Sequence, residues 1–329
     1  MNTPVGIDVS SKSLDVAILV GDRAPRHYLV HNDAADHRQL IRQMSKLESP
    51  QVVLEATGTY HLDLAFALRQ ARVPLMVLNP KRAKDFVRSR GIHVQTDKVD
   101  AIQLAEFGKR MDFVPWKGPS QLAFQIFKLG RAIASMTKDH TRLLCLLHAE
   151  STCSYTPAVL IKHLNRQIKL LDKLLVEQRN QQRNLIFSDP TWKRRYQQLL
   201  SAKGIADISA LALIGELIVL APDMSAAQWV KYAGLDPSWK ESGTSVRGKA
   251  GISHRGNARI RGALFNPAKS AYNYDANLKR FADQLKGNGK TRMQAIVAVE
   301  RKMLHGIHAM FRSGADWDSS KLVAPEKTA

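Results

Sequence analysis

The sequence predicts an α/β domain at its N-terminus, followed by a helical region and a mainly helical C-terminal domain. Three short strand-like runs open the chain, and helices and strands then alternate as far as residue 78. From about residue 119, apolar residues recur mostly at helical spacing. These two patterns divide the 329 residues into segments 1–118, 119–194 and 195–329.

The first segment carries the clearest strand signals. The predicted elements are strands over 4–9, 13–21 and 27–31, a helix over 35–47, a strand over 51–56, a helix over 60–71 and a strand over 73–78. Three hairpin-like strands followed by alternating helix and strand predict a mixed sheet flanked by helices. This order, with acids at the ends of the first and fourth strands, resembles the RNase H-like (RuvC-like) fold.

The next stretches are predicted to be helical. Residues 81–111 form helical patterns broken near Gly91, and Thr96 is placed to cap the second of them. The stretch 119–187 is nearly all helical, and one set of its apolar residues recurs at 3-4-3-4 spacing. This set is Ile161, Leu164, Ile168, Leu171 and Leu175. It favours either a coiled coil or one face of an ordinary helical hairpin.

The C-terminal segment opens with residues that resemble a helix-hairpin-helix, a module that binds the DNA backbone. The resemblance covers residues 203–210 and includes Gly204. Ala206 stands where such a hairpin has a second glycine, which disfavours close approach to a phosphate.

The charge balance predicts a polyanionic partner. The chain has 49 Lys and Arg against 29 Asp and Glu, a formal net charge of +20. Basic chains gain affinity for nucleic acid by releasing counterions from phosphates, so DNA or RNA is the expected partner. No apolar stretch approaches the roughly 20 residues of a membrane span. With only two cysteines, a reduced, cytoplasmic setting is expected.

Four carboxylates stand where they can converge. Asp8 and Glu55 each end the apolar run of a predicted strand, and Asp97 and Asp100 share one face of a predicted helix. Each acid alone could simply begin a turn or cap a helix. Converging carboxylates repel one another unless a cation lies between them, and Mg²⁺ prefers oxygen ligands. Together they predict a Mg²⁺ site for phosphoryl transfer on nucleic acid.

A second candidate centre lies in residues 241–262. Its first eight residues, 241–248, hold three hydroxyl side chains, Ser242, Thr244 and Ser245, and no acid follows Glu241 as far as Gly262. Five of its residues are predicted to bind nucleic acid: Arg247, Lys249, Arg255, Arg259 and Arg261. Composition alone favours a flexible basic loop, because a nucleophilic serine needs a base, a metal or charge stabilisation. Nothing in the local sequence chooses among the three hydroxyls.

Two further basic clusters occupy residues 81–84 and 192–196. Both are consistent with solvated helix faces. Both are equally consistent with tracking of phosphates, with Trp192 and Tyr196 stacking on bases.

Six short segments together have a specific order and spacing. They are Gly6 to Val9, Glu55 to Tyr60, Asn79-Pro80, Thr96 to Ala101, Tyr232 to Leu235 and Glu241 to Gly248. In these segments the chain resembles the insertion-sequence transposases of the one-ten family, also called DEDD transposases, which include site-specific invertases of the Piv type. The resemblance runs from about residue 4 to residue 313.

The resemblance implies a RuvC-like domain in which Asp8, Glu55, Asp97 and Asp100 bind Mg²⁺. It implies that Ser242 attacks DNA and holds it as a phosphoserine. It also implies a homo-oligomer, from dimer to tetramer, and a noncoding bridge RNA that selects donor and target DNA by base pairing. Such a protein needs to recognise only the backbone and the shape of the nucleic acid, which suits a basic chain.

Two other functions fit the same residues. A RuvC-like structure-specific endonuclease, or resolvase, would use the four acids and a metal-activated water, and Ser242→Ala would leave its cleavage intact. A non-catalytic nucleic-acid-binding scaffold would keep its binding without Asp8 and would cut no strand.

Overall fold

The computed structural model describes residues 2–21, 23–92, 96–238, 241–242, 246–247, 251–253 and 255–323. For residues 241–242 and 246–247 only the backbone is described. The chain forms two compact units, Met1–Lys117 and Gly118–Ala329. The finer division of the second unit at residue 194 stays a prediction. Across the described residues, no helix combines the length and hydrophobicity needed to cross a membrane.

The first unit is built on a five-stranded mixed sheet. Its strands are β1 (Thr3–Val9), β2 (Ser13–Ile18), β3 (Arg26–His31), β4 (Pro50–Glu55) and β5 (Leu75–Leu78). Their spatial order is β3-β2-β1-β4-β5. The first three strands form antiparallel pairs, whereas β4 and β5 run parallel to β1. This topology confirms the predicted RNase H-like class.

Helices cover both faces of the sheet. They are α1 (Ala34–Met44), α2 (Leu62–Gln70), α3 (Pro80–Ser89) and α4 (Asp97–Arg110). Because side chains alternate along a strand, Ile7 packs on the face shared with α1 and α2, while Val53 packs against α3 and α4. The face that bears α3 and α4 is also the face of the predicted acids.

Gly6 allows α4 to lie directly on β1. A Cβ atom at this position would collide with the backbone of Ala101 and Ala105. The close approach brings the first turn of α4 over the carboxyl end of β1, where Asp8 follows. Gly6 is therefore required by packing rather than by an unusual backbone angle.

The second unit is mainly helical. Its helices are α5 (Gln121–Ser151), α6 (Ala158–Phe187), α7 (Pro190–Ser201), α8 (Asp207–Leu217), α9 (Ala226–Ala233), α10 (Ala258–Tyr274), α11 (Ala276–Gly287) and α12 (Arg292–Ser313). Between α9 and α10 lie two short antiparallel pairs, β6 (Pro237–Ser238) with β9 (Gly251–Ile252) and β7 (Glu241–Ser242) with β8 (Val246–Arg247). The core is formed by α8, α10 and α12 together with the N-terminal end of α5 and the C-terminal end of α6.

The long helices α5 and α6 pack against each other as a helical hairpin. Leu164 and Leu175 of the predicted apolar seam are buried, and the other three seam residues are half-buried. At the base of the hairpin, the side chain of Gln182 donates hydrogen bonds to the carbonyls of Ile126 and Leu211, both at 3.3 Å. The hairpin alternative therefore accounts for the seam within one chain.

The turn that resembles a helix-hairpin-helix packs inward. Gly204 has a φ of +95°, and a Cβ there would collide with the backbone of Pro267 in α10. Asp207 accepts a hydrogen bond from the Tyr196 hydroxyl at 2.5 Å and another from Arg183 at 2.6 Å. These contacts give the turn a structural role, and its contact with DNA stays a prediction.

Candidate active site

Asp8 and Glu55 come together because their strands are parallel neighbours. Ile7 of β1 lies beside Leu54 of β4 in the strand register, so the next residue of each strand is an acid at the same edge of the sheet. Both side chains are half-buried. The strand ends therefore place two carboxylates side by side.

The helix α4 adds Asp97 and Asp100 from its first turn. As predicted, Thr96 caps this helix, and its side chain accepts a hydrogen bond from the backbone N–H of Val99 at 3.2 Å. Negative charge in the first turn is stabilised by the helix dipole. This stabilisation partly offsets the cost of placing these acids near Asp8.

Electrostatic coupling shows that the carboxylates share one environment. Burial, followed by repulsion from Asp100, Asp97 and Glu55 in that order, raises the pKa of Asp8 from 3.8 to about 6. Burial also raises the pKa of Glu55 and of Asp100. A cation held among these groups would relieve both the desolvation and the repulsion.

Lys84 is a cation of this cleft that the sequence did not single out. Its ammonium group lowers the pKa of Glu55 and of Asp100, against the effect of burial. The cleft is open, has a volume of about 400 Å³ and is lined by Asp8, Glu55 and Asp100 with Lys84 and apolar residues of α3 and α4. From the cluster 81–84, Lys84 lines the cleft, whereas the Arg82 guanidinium lies 5.2 Å from the ring centre of Phe107.

The donor set suits a hard divalent cation, although it does not form a tight cage. In the described part of the chain, the group of three ligand atoms mutually within 4.8 Å is His31, Asp33 and Asp36, not the cleft acids. Two of those residues already have structural partners. Asp33 caps α1, and Asp36 accepts the backbone N–H of His31 at 2.7 Å. The cleft acids supply carboxylate oxygens as well, the ligand type that Mg²⁺ or a similar ion prefers.

The predicted nucleophile lies in the segment between β6 and β9. The backbone of Ser242 pairs with Val246 in the β7–β8 hairpin. Thr244, Ser245 and Lys249 lie outside the described residues, as do the side chains of Ser242 and Arg247. The choice of nucleophile therefore stays a prediction.

The remaining predicted arginines have distinct surroundings. Arg261 donates a hydrogen bond to the carbonyl of Ala233 at 2.7 Å, whereas Arg255 and Arg259 line an open cavity. Their contact with nucleic acid stays a prediction.

The aromatic residues of the cluster 192–196 are engaged inside the second unit. Tyr196 is buried, and Trp192 packs against Phe311. The guanidinium of Arg195 lies 4.4 Å from the ring centre of Trp192 and 5.0 Å from that of Phe311. These contacts favour a packing role over stacking on bases.

The sheet topology and the acids at its edge define a protein of the RNase H-like class. Comparison with known proteins is more specific. Residues 5–150 match the DEDD transposase model of the IS110 group, and residues 196–283 match the model described as "Transposase IS116/IS110/IS902 family". The chain belongs to this family of transposases.

Two similar proteins match along nearly their whole length. The pilin gene-inverting protein of Moraxella bovis is 27% identical over 96% of this chain and 98% of its own. Its counterpart in Moraxella lacunata is 28% identical over the same shares. A chain of RuvC from T. thermophilus, solved with a Holliday junction substrate, has 15% identity and a TM-score of 0.28, covering 35% of this chain and 99% of that one.

Membership of the family identifies the chain as a DNA-processing enzyme, a transposase or site-specific recombinase. It also implies that the enzyme binds DNA and uses a divalent metal ion. The cleft lined by Asp8, Glu55 and Asp100, with Asp97 close enough to raise the pKa of Asp8, fits that requirement because its acidic donors are oxygens.

Proposed function

We propose that the protein is a Mg²⁺-dependent recombinase that moves or inverts a DNA segment through a covalent phosphoserine intermediate on Ser242. The convergence of Asp8, Glu55 and Asp100 in one cleft supports the metal centre. The match to two gene-inverting proteins over nearly the full chain supports recombination rather than simple cleavage. The proposal also includes a noncoding guide RNA and a homo-oligomer, from dimer to tetramer. The protein would act on nucleoid DNA in the bacterial cytoplasm.

The two centres would divide the reaction. The carboxylates would hold Mg²⁺, which neutralises the phosphate and stabilises charge on the attacking and leaving oxygens. The Ser242 hydroxyl loses its proton and attacks phosphorus, a P–O bond to deoxyribose breaks, and the released sugar oxygen takes up a proton. The reverse attack by a sugar hydroxyl reseals a strand. Because the phosphoserine conserves the bond energy, no ATP is needed.

Metal binding has a signature that does not require catalysis. We expect Mg²⁺ to raise the thermal unfolding midpoint of the wild type, because binding to the folded state adds about 2.7 kcal/mol at a hundredfold excess over Kd. Asp8→Asn should lose this shift, while Asp36→Asn, in the group formed by His31, Asp33 and Asp36, should keep it. Loss of the shift in Asp36→Asn but not in Asp8→Asn would assign the metal elsewhere.

The serine chemistry is tested by trapping protein on DNA. Wild-type protein, Mg²⁺, its flanking RNA and labelled junction DNA should give an adduct that survives denaturation. Ser242→Ala should abolish this adduct, because no other atom at that position can form the ester. Thr244→Ala and Ser245→Ala are the matched controls and should retain it.

Other outcomes of the same experiment support the rival functions. Cleavage without an adduct, unchanged in Ser242→Ala, would favour a resolvase-like endonuclease, since the acidic cleft lies wholly within the first unit. DNA binding without any cleavage, unaffected by Asp8→Asn, would favour a binding scaffold.

A further inference from the structure

A cavity of about 470 Å³ opens where the first turn of α10 meets α5 and the end of α9. Three arginines from two parts of the second unit line it, namely Arg131 of α5, and Arg255 and Arg259 at the start of α10. Positive charge therefore meets the positive end of a helix dipole. Only the latter two arginines were singled out from the sequence.

A buried carboxylate organises this cavity. Glu216 of α8 is 4% exposed, and its two oxygens each accept a hydrogen bond from the Arg131 guanidinium at 3.3 Å. The side chain of Asn257, which caps α10, donates to the same carboxylate at 2.6 Å. Nε of Arg259 lies 3.9 Å from it. One acid thus fixes both α5 and the start of α10.

Arg131 is held so that part of its donor set remains available. Its guanidinium lies 4.2 Å from the ring centre of Phe127 and uses two donor groups on Glu216. A guanidinium has five N–H donors, so three of them have no acceptor in the described part of the chain and can bind a ligand. Among the described residues, three arginines meet one buried acid here, which leaves a net positive charge suited to a phosphate group.

The cavity lies near the C-terminal end of the segment between β6 and β9, which carries Ser242. The chain returns from that segment through β9, and the next residue, Ser253, hydrogen-bonds to Asp236 through both its backbone and its side chain. A Cβ on Gly256 would collide with the backbone of Tyr232, and the N–H of Asn257 donates to the Tyr232 carbonyl at 2.7 Å. These contacts tie Ser253 to Asp236, and Gly256 and Asn257 to the end of α9.

We propose that Arg131, Arg255 and Arg259 form a binding site for a phosphodiester of the DNA backbone, and that Glu216 positions it. The choice of DNA rests on the proposed function, because the site adjoins the segment of the proposed nucleophile. Arg131 and Glu216 lie outside that segment, in α5 and α8. The site would hold the strand in place and would not itself react.

The first test reads the salt dependence of duplex DNA binding by the full chain. Loss of one phosphate contact lowers the slope of log affinity against log salt by about one. Arg255→Gln should show this decrease, with several-fold weaker binding. Arg142→Gln is the matched control, since Arg142 is 72% exposed on α5 away from the cavity, and its slope should equal that of the wild type.

The second test exploits the sign of the charge change. Glu216→Gln removes a negative charge, so simple electrostatics predicts tighter DNA binding. The proposed site predicts weaker binding, because a glutamine offers only one oxygen acceptor to the donors of Arg131 and Asn257. Glu177→Gln, on the exposed part of α6, makes the same charge change and should bind no more weakly than the wild type.

Several results would overturn the site. For the variants, these results are an unchanged salt-dependence slope in Arg255→Gln or tighter DNA binding by a folded Glu216→Gln. For the wild type, they are no binding of duplex DNA between roughly 50 and 200 mM salt. A loss of binding in the variants that is seen only with duplex RNA would also overturn it. A thermal unfolding curve shows whether Glu216→Gln folds. If it does not fold, the comparison of Arg255→Gln with Arg142→Gln decides whether the site exists. Because these binding measurements need no cleavage, their outcome does not depend on whether the phosphoserine adduct forms.

Discussion

Asp8→Asn is expected to abolish strand cleavage and yet stabilise the metal-free protein. The loss of activity should be at least about 10²-fold, because the variant removes a charged ligand from the centre that neutralises the phosphate. The gain in stability follows from relief of burial and of repulsion by Asp100, Asp97 and Glu55. Activity and stability thus oppose each other at this position.

The pH dependence of this gain has a defined sign. The pKa of Asp8 is raised from 3.8 to about 6 in the folded protein, so the folded state binds its proton more tightly than the unfolded state. The destabilising effect is absent below about pH 3.8, grows as pH rises and is complete above about pH 6. Asp8→Asn should therefore gain roughly 1–3 kcal/mol above pH 6 and nothing at the acidic end.

Denaturant unfolding with a chelator, at a series of pH values, measures this effect. Asp85→Asn, at an exposed position on α3, is the control and should change the free energy of unfolding by less than about 0.5 kcal/mol. An Asp8→Asn protein that is less stable than the wild type at pH 8 would show that the carboxylates do not repel one another as argued.

Gly6→Ala is expected to be the most damaging single-methyl change in the first unit. The new Cβ would collide with the backbone of Ala101 and Ala105, and a helix backbone cannot move aside as a flexible side chain can. We expect a loss of about 3 kcal/mol or more in the free energy of unfolding. Displacement of α4 would also carry Asp97 and Asp100 away from Asp8.

The same unfolding experiment tests this packing. Gly287→Ala is the matched control, because a Cβ at Gly287 in α11 meets no atom within 4 Å, and alanine there should be neutral or slightly stabilising. A Gly6→Ala protein as stable as the wild type would mean that α4 does not lie directly on β1.

Much of the first unit could be predicted because its signals are local. Apolar runs marked the strands, Thr96 marked the start of α4, and the i, i+3 spacing placed Asp97 and Asp100 on one face. The predicted strand over 13–21 was too long, since β2 ends at Ile18. Gly21, with a φ of +57°, belongs instead to the turn before β3.

The rest depended on contacts between residues that are distant in sequence. Arg131 and Glu216 are 85 positions apart, and nothing near either residue indicates their pairing. Lys84 was only one member of a basic cluster until the packing of α3 placed it beside the acids. The apolar seam of α6 likewise left its partner open, because spacing alone does not distinguish α5 from a second chain.

The metal centre is proposed to lie in the cleft between β1, β4 and α4. Anomalous scattering from crystals soaked with Mn²⁺, an anomalously scattering substitute for Mg²⁺, tests this location directly. We predict anomalous density between Asp8, Glu55 and Asp100, and none in crystals of Asp8→Asn. Density only at His31, Asp33 and Asp36, or equal density in wild type and variant, would show that this cleft is not the metal centre.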